Sequence, residues 1–144
     1  MFNFFKNKDT KISLRQGRML MDKALKDFVV PEIKGRGFFG SYPHFRREKN
    51  GRYEFLSFQF SLHGGNFVVE AAYVTRENLP LLFRELPFTK LTHAHTSTRR
   101  RIPTGSDIQD GFGYSFEKFI NENQFEDLAK LVITQLSQLD IFLS

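Results

Sequence analysis

The chain has 144 residues and a mass of 16.9 kDa, with 40% hydrophobic residues, 26% charged residues and a net charge of +5. That length is one ordinary domain, and at this size a chain buries on the order of 70% of its unfolded surface, so folding requires neither a disulfide nor a structural metal. The composition excludes a disordered or collagenous class, and the lack of cysteine excludes a disulfide framework, a thiol nucleophile and a Cys-ligated zinc site.

Along the chain, residues 1–12 read as a loosely docked segment of a single α+β domain spanning 1–144. Their apolar start is interrupted by Lys6 and Lys8, too early for the apolar stretch of a signal peptide. No run of uncharged apolar residues is long enough to span a bilayer, so a soluble, cytoplasmic protein without membrane contact is expected. Ser13 followed by Gln16 is a capping-box pair. Leu14, Arg18, Met21, Leu25 and Phe28 then recur at helical spacing, which predicts a helix over 14–30. Pro31 either kinks it or opens a short continuation that ends at Gly35 or Gly37.

Two hairpins follow. Asn50-Gly51 suits a type I′ turn, because both central residues tolerate positive φ, and it separates strands over 45–49 and from residue 52 onward. Leu56, Phe58, Phe60 and Leu62 alternate with Ser57, Gln59 and Ser61, and Gly64-Gly65 turns the chain into a third strand over 67–75. Pro80 and Pro87 mark 76–88 as a crossing loop with one helical turn around 81–86. A fourth strand is expected over 91–98, extending to Ile102. A polar loop over 103–111 then leads to a short aromatic strand over 112–116. From Asn121, Phe125, Leu128, Val132, Leu136 and Leu139 form one stripe behind an acidic first turn, which predicts a closing helix. The sum is an α+β fold: a mainly antiparallel sheet of about five strands, a meander plus two, with the N-terminal and C-terminal helices packed on one face.

This ordered series of motifs resembles a bacterial family known as domain-of-unknown-function family 4304. The likeness is carried by a helix followed by Gly37-Phe38, Gly40 and Phe45-Arg46, by Phe58-Gln59-Phe60-Ser61, by His95 to Ile102 with its arginines, and by the aromatic strand from Gly111 to Glu117. Members of that family carry paired tryptophans in the last strand, where this chain has Phe112 and Tyr114 to Phe116. The resemblance implies a fold and a bacterial origin, and it supplies no catalytic residues.

The chemistry-bearing motifs divide as follows. Gly35-Arg36-Gly37-Phe38-Phe39-Gly40 has the glycine spacing of a dinucleotide fingerprint, but it follows a helix and precedes a strand, the reverse of what a pyrophosphate site needs. His93 and His95 share a face if 91–98 is a strand, which makes them the weak candidates for a metal, although no third ligand stands at a suitable spacing. Ser57, Ser61 and Ser115 lack a nucleophile-elbow glycine pattern, and Asp107 and Asp110 sit in a loop, so no catalytic residue and no cofactor is assigned. Arg99-Arg100-Arg101, with Arg46 and Arg47, is a candidate guanidinium patch, the fork geometry of arginine being suited to carboxylate and phosphate. Gln59 faces away from the main apolar set and is the candidate polar groove residue beside it.

Charge is also uneven along the chain, at +7 over residues 1–60, +3 over 61–105 and −5 over 106–144. The leading expectation is a non-catalytic binding module whose basic sheet face, through Arg46, Arg47, Gln59, Arg99, Arg100 and Arg101, meets an acidic protein partner. Nucleic-acid binding through the same cations is the alternative, and a metal-dependent enzyme using His93 and His95 is the weaker one.

Overall fold

A computed structural model describes residues 11–92, 95, 96, 98–104 and 113–144; His93 and Phe112 lie outside the described residues. The chain begins with α1 (Leu14–Ala24), held at its start by the expected reciprocal cap. The Ser13 hydroxyl accepts from the Gln16 N–H at 3.1 Å, and the Gln16 side chain accepts from the Ser13 N–H at 3.2 Å. A π-helical turn (Leu25–Val29) carries α1 directly into α2 (Val30–Gly35). Pro31 lacks an N–H and its ring crowds the carbonyl four residues back, a conflict that the wider turn in front of it relieves. The extra residue in that turn also rotates the buried stripe. Met21, Leu25, Val29 and Ile33 line up inward at a spacing of four, while Phe28 is only half-buried and Leu14 is exposed.

Six strands follow among the described residues: β1 (Phe39–Ser41), β2 (His44–Lys49), β3 (Arg52–Phe60), β4 (Asn66–Thr75), β5 (Thr98–Ile102) and β6 (Tyr114–Ser115). They form one antiparallel sheet in the order β1-β2-β3-β4-β5, with β6 also paired to β4. Because β3 occupies one edge of β4 over its whole length, β5 and β6 must share the other. Asn50 (φ 54°) and Gly51 (φ 76°) make the expected two-residue turn, so Lys49 stands opposite Arg52 and the β2–β3 register is set. The chain closes with α3 (Glu122–Phe142), whose start is a second capping box between Asn121 and Gln124.

The α+β architecture and the helices on one face agree with the sequence. On that face Phe45, Leu56, Phe58, Phe67, Val69, Ala71 and Ile102 pack against Met21, Leu25, Val132, Leu136 and Leu139. Three local expectations need correction. The short strand β1 precedes the first expected strand. The strand expected over 91–98 is confined to Thr98–Ile102. Residues 76–90 contain three 3₁₀ turns, Arg76–Asn78, Leu81–Phe83 and Phe88–Lys90, which fold back over the second face of the sheet. There Leu79 and Leu91 are fully buried against Tyr53, Phe55, Ala72 and Val74, with Phe83, Leu86 and Phe88 packed around them. Pro80 and Pro87 suit such a path, since a segment of short turns avoids the ladder hydrogen bonds that proline cannot donate. Every residue of β3 from Tyr53 to Phe58 is consequently buried. Among the described residues, no helix is long and apolar enough to cross a membrane.

Candidate binding face

Side chains alternate across a sheet, so strand register decides which polar groups meet. On the face away from the helices, His44, Ser57, Glu70 and Arg101 lie in one row across β2, β3, β4 and β5. The next row is Arg46, Phe55, Ala72 and Arg99. The first row borders the apolar cover formed by residues 76–91, and the second runs beneath it.

Glu70 is the centre of this arrangement. Its side chain is 0% exposed, yet its carboxylate is fully engaged: the Arg101 Nε donates to Oε2 at 2.7 Å, the Gln59 amide donates to Oε1 at 3.1 Å, and the Arg99 guanidinium stands at 3.8 Å. The Gln59 amide also lies 3.5 Å from the Ser57 hydroxyl, itself buried. A buried carboxylate persists only when paired and hydrogen-bonded, and two guanidinium groups with an amide meet that need. The arginines reach it from opposite exposure. Arg99 is 35% and Arg101 57% exposed at the side chain, so each is anchored at one end and open to solvent at the other. Two cations around one anion leave a net positive charge at the rim. Beside them, a cavity of about 180 Å³ opens between the sheet, at His44, Arg46, Phe55 and Ser57, and the turn carrying Leu91 and Thr92.

The six residues singled out from sequence are split by strand parity. Arg46, Gln59, Arg99 and Arg101 belong to this face. Arg47 and Arg100 point to the helix side, and this corrects the expectation of one patch containing all six. Arg47 is 9% exposed. Its Nε donates to Glu54 at 2.5 Å, and the same carboxylate accepts from Arg52 at 2.6 Å. Those two arginines continue to main-chain carbonyls at helix C-termini, Arg47 to Arg36 after α2 and Arg52 to Leu143 after α3. Cations there satisfy carbonyls that the helix leaves open and oppose the negative end of its dipole. Arg100 lies over the Phe142 ring at 5.7 Å. On the face away from the helices, Arg46 donates to the Thr89 carbonyl and so fastens the covering segment, while Arg99 donates to the Thr96 carbonyl three residues before it.

The basic and acidic ends of the chain meet on the helix side. Lys23 and Asp27 of the first helix line a shallow cleft with Glu122 and Glu126 of α3, and Arg36 grips Asp140 at 2.9 Å. The hydrogen bond from Lys23 to Asp27 raises the lysine pKa, with smaller contributions from Glu122 and Glu126. The bond to Asp140 likewise raises that of Arg36. One ion pair, Arg36 with Asp140, thus joins the basic segment to the acidic one there, whereas Arg99 and Arg101 of β5 lie on the opposite face.

His95 stands in a helical turn rather than a strand. Its Nδ1 accepts from the Thr92 N–H at 2.9 Å and its ring packs 4.5 Å from Phe83, so the shared-face geometry proposed with His93 does not apply to it. Among the described residues no three His, Asp or Glu side chains converge as a metal site. Glu70 and His44 were not among the sequence candidates. Counting back from the Gly64-Gly65 turn would have placed Glu70 opposite Ser57, but the burial that makes it central is not a local property.

The family model described as a domain of unknown function (DUF4304) covers residues 29–138. No curated protein and no solved structure matches the chain.

Proposed function

We infer function from the site alone, because this chain belongs to the DUF4304 family, a domain of unknown function: it is a non-catalytic binding module that holds an acidic group of a protein partner on the sheet face away from the helices. The observation that carries this reading is the pair of half-exposed guanidinium groups around buried Glu70, Arg101 hydrogen-bonded to its carboxylate and Arg99 3.8 Å from it and tied to the Thr96 carbonyl. An anchored guanidinium fork loses little further freedom when a carboxylate docks on it, and that favours tight, directional recognition. Glu70 is itself held by Arg101 and Gln59, so it serves as a charge anchor rather than as a general base.

A protein partner is favoured over nucleic acid by where the aromatic rings lie. Phe45, Phe55, Phe58, Phe67, Phe116 and Phe125 are buried, so they fill the interior instead of offering a stacking platform. The test is fluorescence anisotropy of the full chain with labelled polyglutamate and, separately, a single-stranded oligonucleotide, at low and at physiological salt. Polyglutamate is expected to bind at low salt, with several-fold loss in Arg101→Gln. Equal affinity of that variant, or no binding at low salt, overturns the reading. Tighter oligonucleotide binding with a steep salt slope would replace it by the nucleic-acid alternative.

A further inference from the structure

β5 stands at the end of the strand order, and its outer edge borders the face that carries Arg99 and Arg101. Which main-chain groups point outward follows from two hydrogen bonds at the other end of β4. The Ser61 N–H donates to the Asn66 carbonyl at 3.0 Å, so Asn66 directs its main-chain groups toward β3. The Phe116 N–H donates to the Gly65 carbonyl at 2.8 Å, so Gly65 directs its carbonyl to the opposite side. Direction alternates along a strand, and the β4 register is continuous. Val69, Ala71 and Tyr73 therefore bond to β5, where they face Ile102, Arg100 and Thr98. Arg99 and Arg101, one residue out of phase, direct both N–H and C=O away from the sheet.

These are also the two residues whose side chains sit on Glu70. Among the described residues no strand pairs with this edge, and Thr98 to Arg101 are exposed. An open edge with three successive arginines repels a second copy of itself, because arginine would face arginine, and it admits a strand of opposite charge.

We propose that the outer edge of β5 takes up an extended acidic segment of a partner protein as an added antiparallel strand, with acidic residues at every second position opposite Arg99 and Arg101. In such a pair the facing residues exchange both main-chain hydrogen bonds and project their side chains to the same face. The acidic side chains of the guest thus meet the two exposed guanidinium groups, while the residue between them lies on the side of Arg100. Main-chain bonds supply affinity and alternate side chains supply selectivity. This rests on the acidic-partner reading and adds to it a strand geometry and a two-residue period.

The test uses the ¹⁵N-labelled full chain and a hexapeptide alternating glutamate and valine. In the free protein, the Arg99 and Arg101 amides are expected to exchange with solvent much faster than those of Arg100 and Ile102. The peptide should slow the first pair. Methylating the glutamate amides of the peptide removes the donors that face β5 and should weaken binding about tenfold or more. Methylating the valine amides, which face outward, should leave affinity within about twofold. If the glutamate-methylated peptide binds as well as the parent while Arg101→Gln still weakens both, strand addition is overturned and side-chain recognition on the same face survives. If none of the peptides binds at low salt, both readings fall.

Discussion

Replacing Glu70 by Gln separates two accounts of the arginine rim by the sign of its effect. If the rim acts only through net charge, removing a buried anion makes the face more positive and acidic ligands bind more tightly. At a separation of about 8 Å in a mostly aqueous dielectric that gain is on the order of 0.5 kcal/mol, and it falls further with physiological screening. If instead Glu70 positions the guanidinium groups, its loss frees Arg101, whose Nε bond of 2.7 Å is its tie to the sheet. Immobilising a free arginine side chain again on binding costs about 1–2 kcal/mol. The second effect is the larger, so Glu70→Gln should weaken polyglutamate binding by about three- to tenfold. The same change lowers stability. A charge-assisted bond disappears, and one acceptor oxygen is replaced by an amide that must face donors, but Arg101 is exposed enough to turn to water. A loss of about 2 kcal/mol is expected, or about 6 °C in Tm for a chain of this length. In a double-mutant cycle with Arg101→Gln, read by urea melts and by anisotropy, the two positions should couple by about 1 kcal/mol or more. Tighter binding by Glu70→Gln, or additive effects, would refute the positioning argument.

Glu54→Gln should be the more damaging change, at about 3–5 kcal/mol by urea denaturation, because Arg47 and Arg52 converge on that fully buried carboxylate and only one of its oxygens would remain. Asn50→Ala should cost about 1–2 kcal/mol and Asn50→Gly little or nothing, since the residue sits at φ 54°; differential scanning calorimetry of the pair checks this. Tyr42 donates to Asp22 at 2.6 Å, and burial first, then that bond, pushes its phenol well above the ordinary value. A folded pKa above the unfolded one gives stabilisation that is complete below about pH 10 and is lost as pH rises toward the folded value. Tyr42→Phe should therefore lose about 1 kcal/mol at neutral pH and decline less steeply in urea melts above about pH 10.

Much of the fold was legible because it rests on local chemistry. The Asn50-Gly51 turn, the Ser13 cap and the alternation through Leu56, Phe58 and Phe60 each act within a few residues, and each stands where the sequence places it. The departures have non-local causes. The strand expected over 91–98 is short because residues 76–91 gain more by burying Leu79 and Leu91 on Tyr53, Phe55 and Ala72 than by extending the ladder. The buried stripe of the first helix turns because the π turn ahead of Pro31 inserts an extra residue.

The candidate face divides along the same line. Arginine forks, Gln59 opposite the apolar alternation, and the rule that successive residues of a strand face opposite ways are all present in the order of the amino acids. That order already requires Arg100 to part from Arg99 and Arg101. It does not say which side is filled by helices, nor that Glu54 lies beneath one pair of arginines and Glu70 beneath another. Those assignments depend on which distant segments cover each face, and they turn chemically identical guanidinium groups into helix caps on one side and an exposed, anchored rim on the other.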